Sequence, residues 1–229
     1  MPVIEFAGVG HTYPGIGSTP VLRDVTCRLA EHRVGIVGAN GSGKSTFVRM
    51  LNALVVPSTG TVRIDGLDTA RDARAIRRRV GFCFSDPDAQ IVMPTVAEDV
   101  AFSLRRRGLS KQEIADRVAA TLAAYELADH HDHPAHLLSS GQKQLLALAA
   151  VLVTEPDLVV MDEPTTLLDL GNIRRVRETI RALPQQVVLV THHLELLDDV
   201  DRALVLHEGR IAFDGEPAEA RTYYEGLFA

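Results

Sequence analysis

A run of residues from Gly38 to Thr46 has the composition of a phosphate-binding loop. It fits the pattern G-x-x-x-x-G-K-[ST]. Glycines let such a loop turn tightly, so that successive backbone N–H groups point at phosphate oxygens. The Lys44 ammonium would reach the outer phosphates, and the Ser45 hydroxyl would ligate Mg²⁺. The pattern therefore predicts nucleotide binding by Gly38, Ala39, Asn40, Gly41, Ser42, Gly43, Lys44, Ser45 and Thr46.

Two adjacent carboxylates, Asp162 and Glu163, follow the apolar run Leu158–Met161. If this run is a strand, successive side chains point in opposite directions, so the two carboxylates can have different tasks. We expect Asp162 to hold Mg²⁺ and Glu163 to act as the general base for the attacking water. The pair and the phosphate loop would both lie beyond the carboxyl ends of strands, where open α/β sheets bind ligands.

A short motif, Leu138-Ser139-Ser140-Gly141-Gln142, opens a helical pattern upstream of the acidic pair. By itself the motif is explained as a helix start with a serine N-cap. In this position, however, the sequence resembles the ABC ATPase family, whose signature is Leu-Ser-Gly-Gly-Gln. The resemblance extends from about Ile4 to Gly215.

The resemblance implies roles for three further residues. Tyr13 matches the aromatic residue that stacks on adenine, and Asp169 matches the loop that connects the two sites of a dimer. His192 matches the switch histidine that contacts the γ-phosphate. With this match, the predicted catalytic residues are Lys44, Glu163 and His192.

The same resemblance implies a head-to-tail homodimer or heterodimer of ATPase subunits, with ATP and Mg²⁺ as ligands. ATP would be bound between the phosphate loop of one subunit and the signature of the other. Hydrolysis would then open the dimer and move a coupled partner. The residues expected to reach the other subunit's ATP are Ser139, Ser140, Gly141, Gln142 and Asp169.

Two positions depart from the family pattern. Ser140 stands where glycine is usual, and serine costs little at a helix start. Ser85 stands where the family usually has a glutamine that completes the shell of Mg²⁺ and water. Because serine is shorter, either it acts through a water or Gln90 serves instead. Gln90 could equally belong to a partner-facing surface.

Two segments, Asp86–Gln90 and Thr95–Phe102, are similar to those of ATPases in energy-coupling factor importers. Such importers take up vitamins and transition-metal ions with a membrane coupling protein and a small substrate-binding membrane protein. The resemblance favours biotin, or else cobalt or nickel, as the transported substrate. The alternative hypothesis is a soluble ABC ATPase that remodels a protein assembly such as an iron–sulfur scaffold.

A histidine-rich segment precedes the signature and contains two aspartates and Pro134. A metal site is one interpretation of this composition. We expect a solvated linker instead, because the segment lies between two helical patterns and contains a proline. Its histidines are His130, His131, His133 and His136.

The phosphate loop needs a strand before it and a helix after it. Val34–Val37 predicts the strand, and apolar residues at helical spacing from Phe47 to Leu54 predict the helix. Continuous apolar runs at 158–161 and 187–190 are typical of a buried parallel sheet. Residues 203–213 predict a hairpin near the end of the chain.

The remaining patterns complete the predicted architecture, an α/β P-loop NTPase core with an antiparallel β-layer and an inserted helical subdomain. Period-2 alternation over Val21–Leu29 predicts the β-layer, and helical periodicity over Lys111–Tyr125 and Ser140–Thr154 predicts the insertion. Residues 1–229 would form a single ABC ATPase domain. Its core and β-layer would comprise 1–84 and 156–229, and its helical subdomain 85–155.

Composition and apolar patterning argue against nucleic-acid binders, secreted proteins and membrane-spanning chains. A formal net charge of −6 over 229 residues is unlike the basic excess of a nucleic-acid binder. Cys27 and Cys83 lie far apart, which predicts reduced thiols in the cytosol. No signal peptide is evident, and the apolar run Leu145–Met161 is interrupted and too short for a bilayer. We expect a chain that reaches the cytoplasmic face of the cell membrane through its partners.

Overall fold

The computed structural model describes residues 1–14, 19–105, 107–166 and 168–228. The strands in these ranges are β1 (Ile4–His11), β2 (Leu22–Leu29), β3 (Arg33–Val37), β4 (Thr59–Ile64), β5 (Leu67–Asp68), β6 (Val80–Cys83), β7 (Leu158–Asp162), β8 (Gln186–Val190), β9 (Arg202–His207) and β10 (Arg210–Gly215). The α-helices are α1 (Lys44–Leu51), α2 (Ala73–Arg79), α3 (Val96–Ser103), α4 (Lys111–Ala124), α5 (Ser140–Leu152), α6 (Leu170–Ala182) and α7 (Pro217–Gly226).

The larger sheet has the strand order β10-β9-β3-β8-β7-β6. Strands β9, β3, β8, β7 and β6 run parallel, and β10 pairs antiparallel with β9 at one edge. Every residue of β7 and β8 is buried, as expected for parallel strands covered on both faces. The predicted parallel sheet and the predicted hairpin, which is β9–β10, are therefore confirmed.

The smaller sheet is antiparallel, with the order β2-β1-β4-β5, and it is the predicted β-layer. Helix α1 packs between the two sheets. The Phe6 ring of β1 stacks on the Phe47 ring of α1 at 4.1 Å, and Met50 and Leu51 are fully buried in the same core. Because α1 is buried between the two sheets, the phosphate loop at its start has a fixed position.

Residues 85–155 contain α3, α4 and α5 together with 3₁₀ turns, and no strand lies in the described part of this range. Their apolar residues form a separate cluster that includes Val100, Leu122 and Leu146. Helix α5 also contributes Leu148 and Leu152 to the cluster beneath β7. Helix α5 thus connects the helical region to the larger sheet.

Some element boundaries differ from those predicted. Helix α1 ends at Leu51, and Leu54 is exposed because the chain turns through Ala53, whose φ is +58°. Helix α5 ends at Leu152 rather than Thr154. Helix α7 was not predicted. It begins with Pro217 in its first turn and buries Ala220 against β9.

Within the ranges given above, no helix is both long enough and apolar enough to cross a bilayer.

The packing of α5 on β6 leads to a prediction about Gly81. A Cβ at this position would lie 2.3 Å from Val151 Cγ1 and 3.2 Å from Pro156 Cγ. Gly81→Ala should therefore lower the free energy of unfolding by about 1–3 kcal/mol through overpacking. Denaturant titration measures the change. Gly226→Ala is the control, since a Cβ there meets nothing within 4 Å. Equal unfolding midpoints for the two variants would contradict the close packing.

Candidate active site

The phosphate loop connects the end of β3 to the start of α1 and requires glycine at two closely packed positions. Gly38 and Gly43 have φ angles of +154° and +102°, which L side chains rarely adopt. A Cβ on Gly38 would lie 2.2 Å from the Leu206 carbonyl oxygen, and one on Gly43 would lie 2.7 Å from Leu22 Cδ2. The glycines therefore allow the loop to pack closely against neighbouring strands.

The Lys44 ammonium lies within this loop rather than in solvent. Its Nζ donates to the carbonyl oxygens of Gly38 at 2.7 Å and Ala39 at 3.0 Å. Burial lowers the pKa of Lys44, and the carboxylates of Glu163 and Asp162 partly offset this effect. The cation is thus held where phosphate oxygens would meet it.

A hydroxyl and a carboxylate meet at the start of α1. Ser45 Oγ donates to Asp162 Oδ1 at 3.0 Å, and Arg49 Nη2 lies 3.6 Å from Asp162 Oδ2. Asp162 is 2% exposed. Burial raises the pKa of its carboxyl group, while the Ser45 hydrogen bond and Arg49 act in the opposite direction. Adjacent hydroxyl and carboxylate oxygens are the ligands that Mg²⁺ prefers, so Ser45 and Asp162 fit this ion.

The carboxylate of Glu163 is fixed by two side chains. His192 Nδ1 lies 2.8 Å from Glu163 Oε2, and Thr166 Oγ1 donates to the same oxygen at 3.1 Å. Glu163 has φ +55°, an uncommon conformation for a residue with a side chain, and its N–H donates to the Val190 carbonyl oxygen. This turn follows β7 directly and directs the carboxylate toward the phosphate loop.

Two adjoining cavities lie on this side of the molecule. A cavity of about 200 Å³ is bounded by Lys44, Ser45 and Glu163, among others. A second, of about 400 Å³, is bounded by Tyr13, Arg23 and Gly41, among others. A cavity lined by Lys44 and Ser45 therefore adjoins a second cavity that has an aromatic side chain in its wall.

Tyr13 is fixed at the border of the two cavities. Its hydroxyl lies 3.1 Å from Thr46 Oγ1, and its ring contacts His11 edge-on at 4.5 Å. The aromatic side chain predicted to stack on adenine is therefore attached to the end of the phosphate loop.

The signature motif forms the first turn of α5. Ser139 is the N-cap and forms a reciprocal capping box with Gln142, in which each side chain accepts from the other residue's N–H. Gln142 Nε2 also lies 3.0 Å from His130 Nε2. Within the described ranges, no hydrogen bond joins these residues to the phosphate loop of the same chain. Ser140 begins the helix in an exposed position, and Gly141 is buried.

Asp169 is the N-cap of α6, and its Oδ1 accepts the Asn172 N–H at 2.8 Å. Gly141 packs directly against the Asn172 side chain. The structure therefore brings Asp169 and the signature together through Asn172. It places Lys44, Ser45, Asp162, Glu163 and His192 in another group.

The amide of Gln90 is used inside the chain. Its Oε1 accepts the Phe84 N–H at 3.0 Å, and its Nε2 donates to the Ala147 carbonyl oxygen at 2.9 Å. Gln90 thereby joins the end of β6 to α5, with both amide groups occupied. Ser85 follows the same strand in a partly buried position.

The histidine-rich segment forms backbone hydrogen bonds with the start of α3. The carbonyl oxygens of His133 and His131 accept the N–H groups of Val96 and Ala97. His131, His133 and His136 are exposed. No group of three or more His, Cys, Asp or Glu side chains in the described residues has an arrangement that would hold a metal ion.

Sequence patterns did not identify four residues that contact the predicted site residues. Arg49 has a local signal, since it follows Ser45 by one helical turn and so lies on the same face. Thr166, His130 and Asn172 have none. Thr166 and Asn172 lie three residues from Glu163 and Asp169, but side-chain orientation decides these contacts, and His130 reaches Gln142 from a separate segment.

A scan against protein-family models matches residues 22–166 to the ABC transporter family. Among relatives, a Deinococcus radiodurans protein provisionally named as an ABC transporter ATP-binding protein is 51% identical over 98% of this chain and 99% of its own length. The biotin transport ATP-binding protein BioM of Rhizobium etli is 43% identical over 99% of both chains. The energy-coupling factor transporter ATP-binding protein EcfA1 of Caldanaerobacter subterraneus is 40% identical over 88% of this chain and 76% of its own.

Two solved structures are also similar. The cbiO1 protein of Clostridium perfringens, part of the ABC transporter complex cbiONQ, aligns with a TM-score of 0.85 and 29% identity over 98% of this chain and 92% of its own. The ATP-binding cassette MJ0796, a dimer in a post-hydrolysis state with ADP and Pi, aligns with a TM-score of 0.83 and 28% identity over 93% of this chain and 98% of its own.

The burial of Asp162 leads to a prediction with two opposite effects. Asp162→Asn should stabilise the nucleotide-free protein, because a neutral amide avoids the cost of burying a charge. We expect a melting temperature about 2–4 °C higher, which corresponds to about 1 kcal/mol for a chain of this size. In the same variant, adding Mg²⁺ to ATP should no longer raise the melting temperature above its value with ATP and EDTA.

Differential scanning fluorimetry with ATP and EDTA, and with ATP and Mg²⁺, separates the two effects. Asp129→Asn, a change at an exposed position, is the control and should leave both values unchanged. A full Mg²⁺ response in Asp162→Asn would contradict the assignment of Asp162 as a metal ligand.

Proposed function

The chain belongs to the ABC transporter family of ATP-hydrolysing subunits, and from this premise we propose that it drives an energy-coupling factor importer whose substrate is biotin. Identity of 43% with BioM over 99% of both chains is the observation that carries the proposal. The similarity to EcfA1 and to cbiO1 supports the same class of importer. A transition-metal ion such as cobalt or nickel is the other substrate that the sequence favours.

The phosphate loop binds the ATP phosphates in this proposal. Its N–H groups and the Lys44 ammonium supply positive charge beside the cavity. Tyr13, which lines the neighbouring cavity, stacks on the adenine. Ser45 and Asp162 hold Mg²⁺, which neutralises charge on the phosphates when bound.

Glu163 is the general base in this proposal, since it accepts a proton from the attacking water. Its carboxylate is oriented by Thr166 and His192, so that it faces the cavity containing Lys44. A fixed carboxylate loses little freedom when water is activated, which lowers the barrier to the reaction. The other ring nitrogen of His192, Nε2, is then available for the γ-phosphate.

The site is completed by a second copy of the chain. Ser139, Ser140, Gly141 and Gln142 form a helix start, whose positive end suits an anion, yet no hydrogen bond in the described ranges joins them to their own phosphate loop. A head-to-tail homodimer places them at the partner's ATP, with Asp169 beside them. The dimeric structure of MJ0796 supports this arrangement.

The membrane partners are an integral coupling protein and a substrate-binding protein, and the ATPase lies with them at the cytoplasmic face. The similarity to cbiO1, which is itself part of an ABC transporter complex, supports such an assembly. A soluble ATPase acting on an iron–sulfur scaffold is the alternative that the test must exclude.

Glu163→Gln tests the hydrolytic role. The amide preserves the size of the side chain but cannot accept a proton, so hydrolysis should fall about 100-fold or more. ATP binding should persist and should give a dimer stable enough to detect by light scattering. Glu178→Gln, an exposed change on α6, is the control. Normal turnover by Glu163→Gln would show that another group is the base.

Transport by the intact complex tests the substrate. Cells that lack their own biotin uptake system, supplied with the chain and its membrane partners, should accumulate labelled biotin, and Lys44→Ala should abolish the uptake. Accumulation of labelled cobalt ions but not biotin would favour a metal importer. Co-purification from solubilised membranes with only soluble proteins would contradict the importer and favour the alternative.

A further inference from the structure

Asn172 holds Asp169 through both its side chain and its backbone at the start of α6. Its Nδ2 donates to Asp169 Oδ2 at 2.9 Å, while its backbone N–H donates to Asp169 Oδ1 at 2.8 Å. Both carboxylate oxygens of Asp169 are therefore held by one residue. Because a carboxylate held at both oxygens has a fixed plane, Asn172 sets the direction in which Asp169 faces.

The same carboxamide lies against the backbone of the signature helix. A Cβ on Gly141 would lie 2.2 Å from Asn172 Oδ1, 2.3 Å from its Cγ and 2.7 Å from its Nδ2. Gly141 has no positive φ angle, so its backbone conformation does not require glycine. A methyl group at position 141 would, however, meet the Asn172 carboxamide and displace it from Asp169.

Asn172 thus contacts two residues that the proposed function assigns to the partner's ATP site. Gly141 is in the first turn of α5, and Asp169 precedes α6. The family model ends at residue 166, before both Asp169 and Asn172. A shift of α5 toward α6 would push the Asn172 carboxamide and change the direction of the Asp169 carboxylate.

We propose that Asn172 is a positioning residue that keeps the signature turn and Asp169 in one fixed arrangement, so that a subunit presents both to its partner's ATP as a unit. The proposal rests on the composite dimer site described above. Asn172 itself acts through Asp169 and Gly141 and makes no contact with nucleotide. Its loss should therefore affect closure of the dimer and leave nucleotide binding to the subunit's own phosphate loop unchanged.

Asn172→Ala in the Glu163→Gln background tests the proposal, with Arg174→Ala, an exposed change on the same helix, as the control. The dissociation constant of the ATP-bound dimer should rise about tenfold, the size expected from losing a hydrogen bond to a charged group. The affinity of the monomer for ATP should change less than about twofold. In the chain that retains Glu163, kcat should fall while KM is little changed.

A second variant covers the case in which alanine loosens α6. Asn172→Asp keeps the shape of the side chain but replaces the amide donor with a carboxylate that repels Asp169. It should weaken the dimer at least as much as alanine does, with a melting temperature near that of the parent. A dimer of unchanged stability in both variants would overturn the proposal.

A double-mutant cycle tests the contact with Gly141. Gly141→Ala alone should weaken the dimer both by altering the signature and by displacing Asn172. With Asn172 already replaced by alanine, the added methyl has space, so the effects on dimer dissociation should be less than additive. Strictly additive effects would show that the two residues act independently and would overturn the coupling.

The parent chain separates this proposal from the proposed function. If Glu163→Gln forms no ATP-dependent dimer, the composite site is wrong and both proposals fail. If the parent dimerises and the Asn172 variants dimerise equally well, only the coupling fails. A loss of ATP affinity by the Asn172→Ala monomer would also overturn it, since that change would place Asn172 at its own subunit's site.

Discussion

Parallel alignment of β3, β8 and β7 is the constraint on which the site depends. These strands are neighbours, so the residues that follow them meet at one edge of the sheet. Backbone hydrogen bonds continue past the strand ends. The Thr191 N–H donates to the Ile36 carbonyl oxygen, and the Glu163 N–H donates to the Val190 carbonyl oxygen. The phosphate loop, His192 and the acidic pair therefore have fixed relative positions before any ligand binds.

This arrangement is maintained at a cost to folding. A lysine ammonium and an aspartate carboxylate are both largely buried, and burial disfavours the charged form of each. Glu163 adopts a left-handed backbone conformation that few residues with side chains accept. Apolar contacts compensate for this cost. Phe47 of helix α1 stacks on Phe6, and strands β7 and β8 are fully buried. Preorganised charge of this kind is what phosphate chemistry requires.

Helix α5 carries the signature in its first turn and also packs against both the apolar cluster of the helical region and the cluster beneath β7. Gln90 joins its Ala147 carbonyl to the end of β6, and Asn172 packs against its first turn. A motion of α5 would therefore reach both the residues around Ser85 and the start of α6. In the dimer proposed above, these contacts would connect the site of one subunit with that of its partner.

The sequence by itself determined the buried parallel strands, the β-layer, the phosphate loop and the capped start of α5, because each follows from local periodicity, glycine spacing or capping chemistry. Glu163 and Asp162 were also identifiable, since two carboxylates directly after a buried strand suit the metal and water chemistry that a phosphate loop requires. Only the tertiary structure decided that Gln90 bonds to α5, that Thr166 supports Glu163, and that Asn172 joins Asp169 to Gly141. Most of these depend on distances between elements remote in the chain, and even the short-range contacts depend on side-chain orientation, which no local pattern encodes.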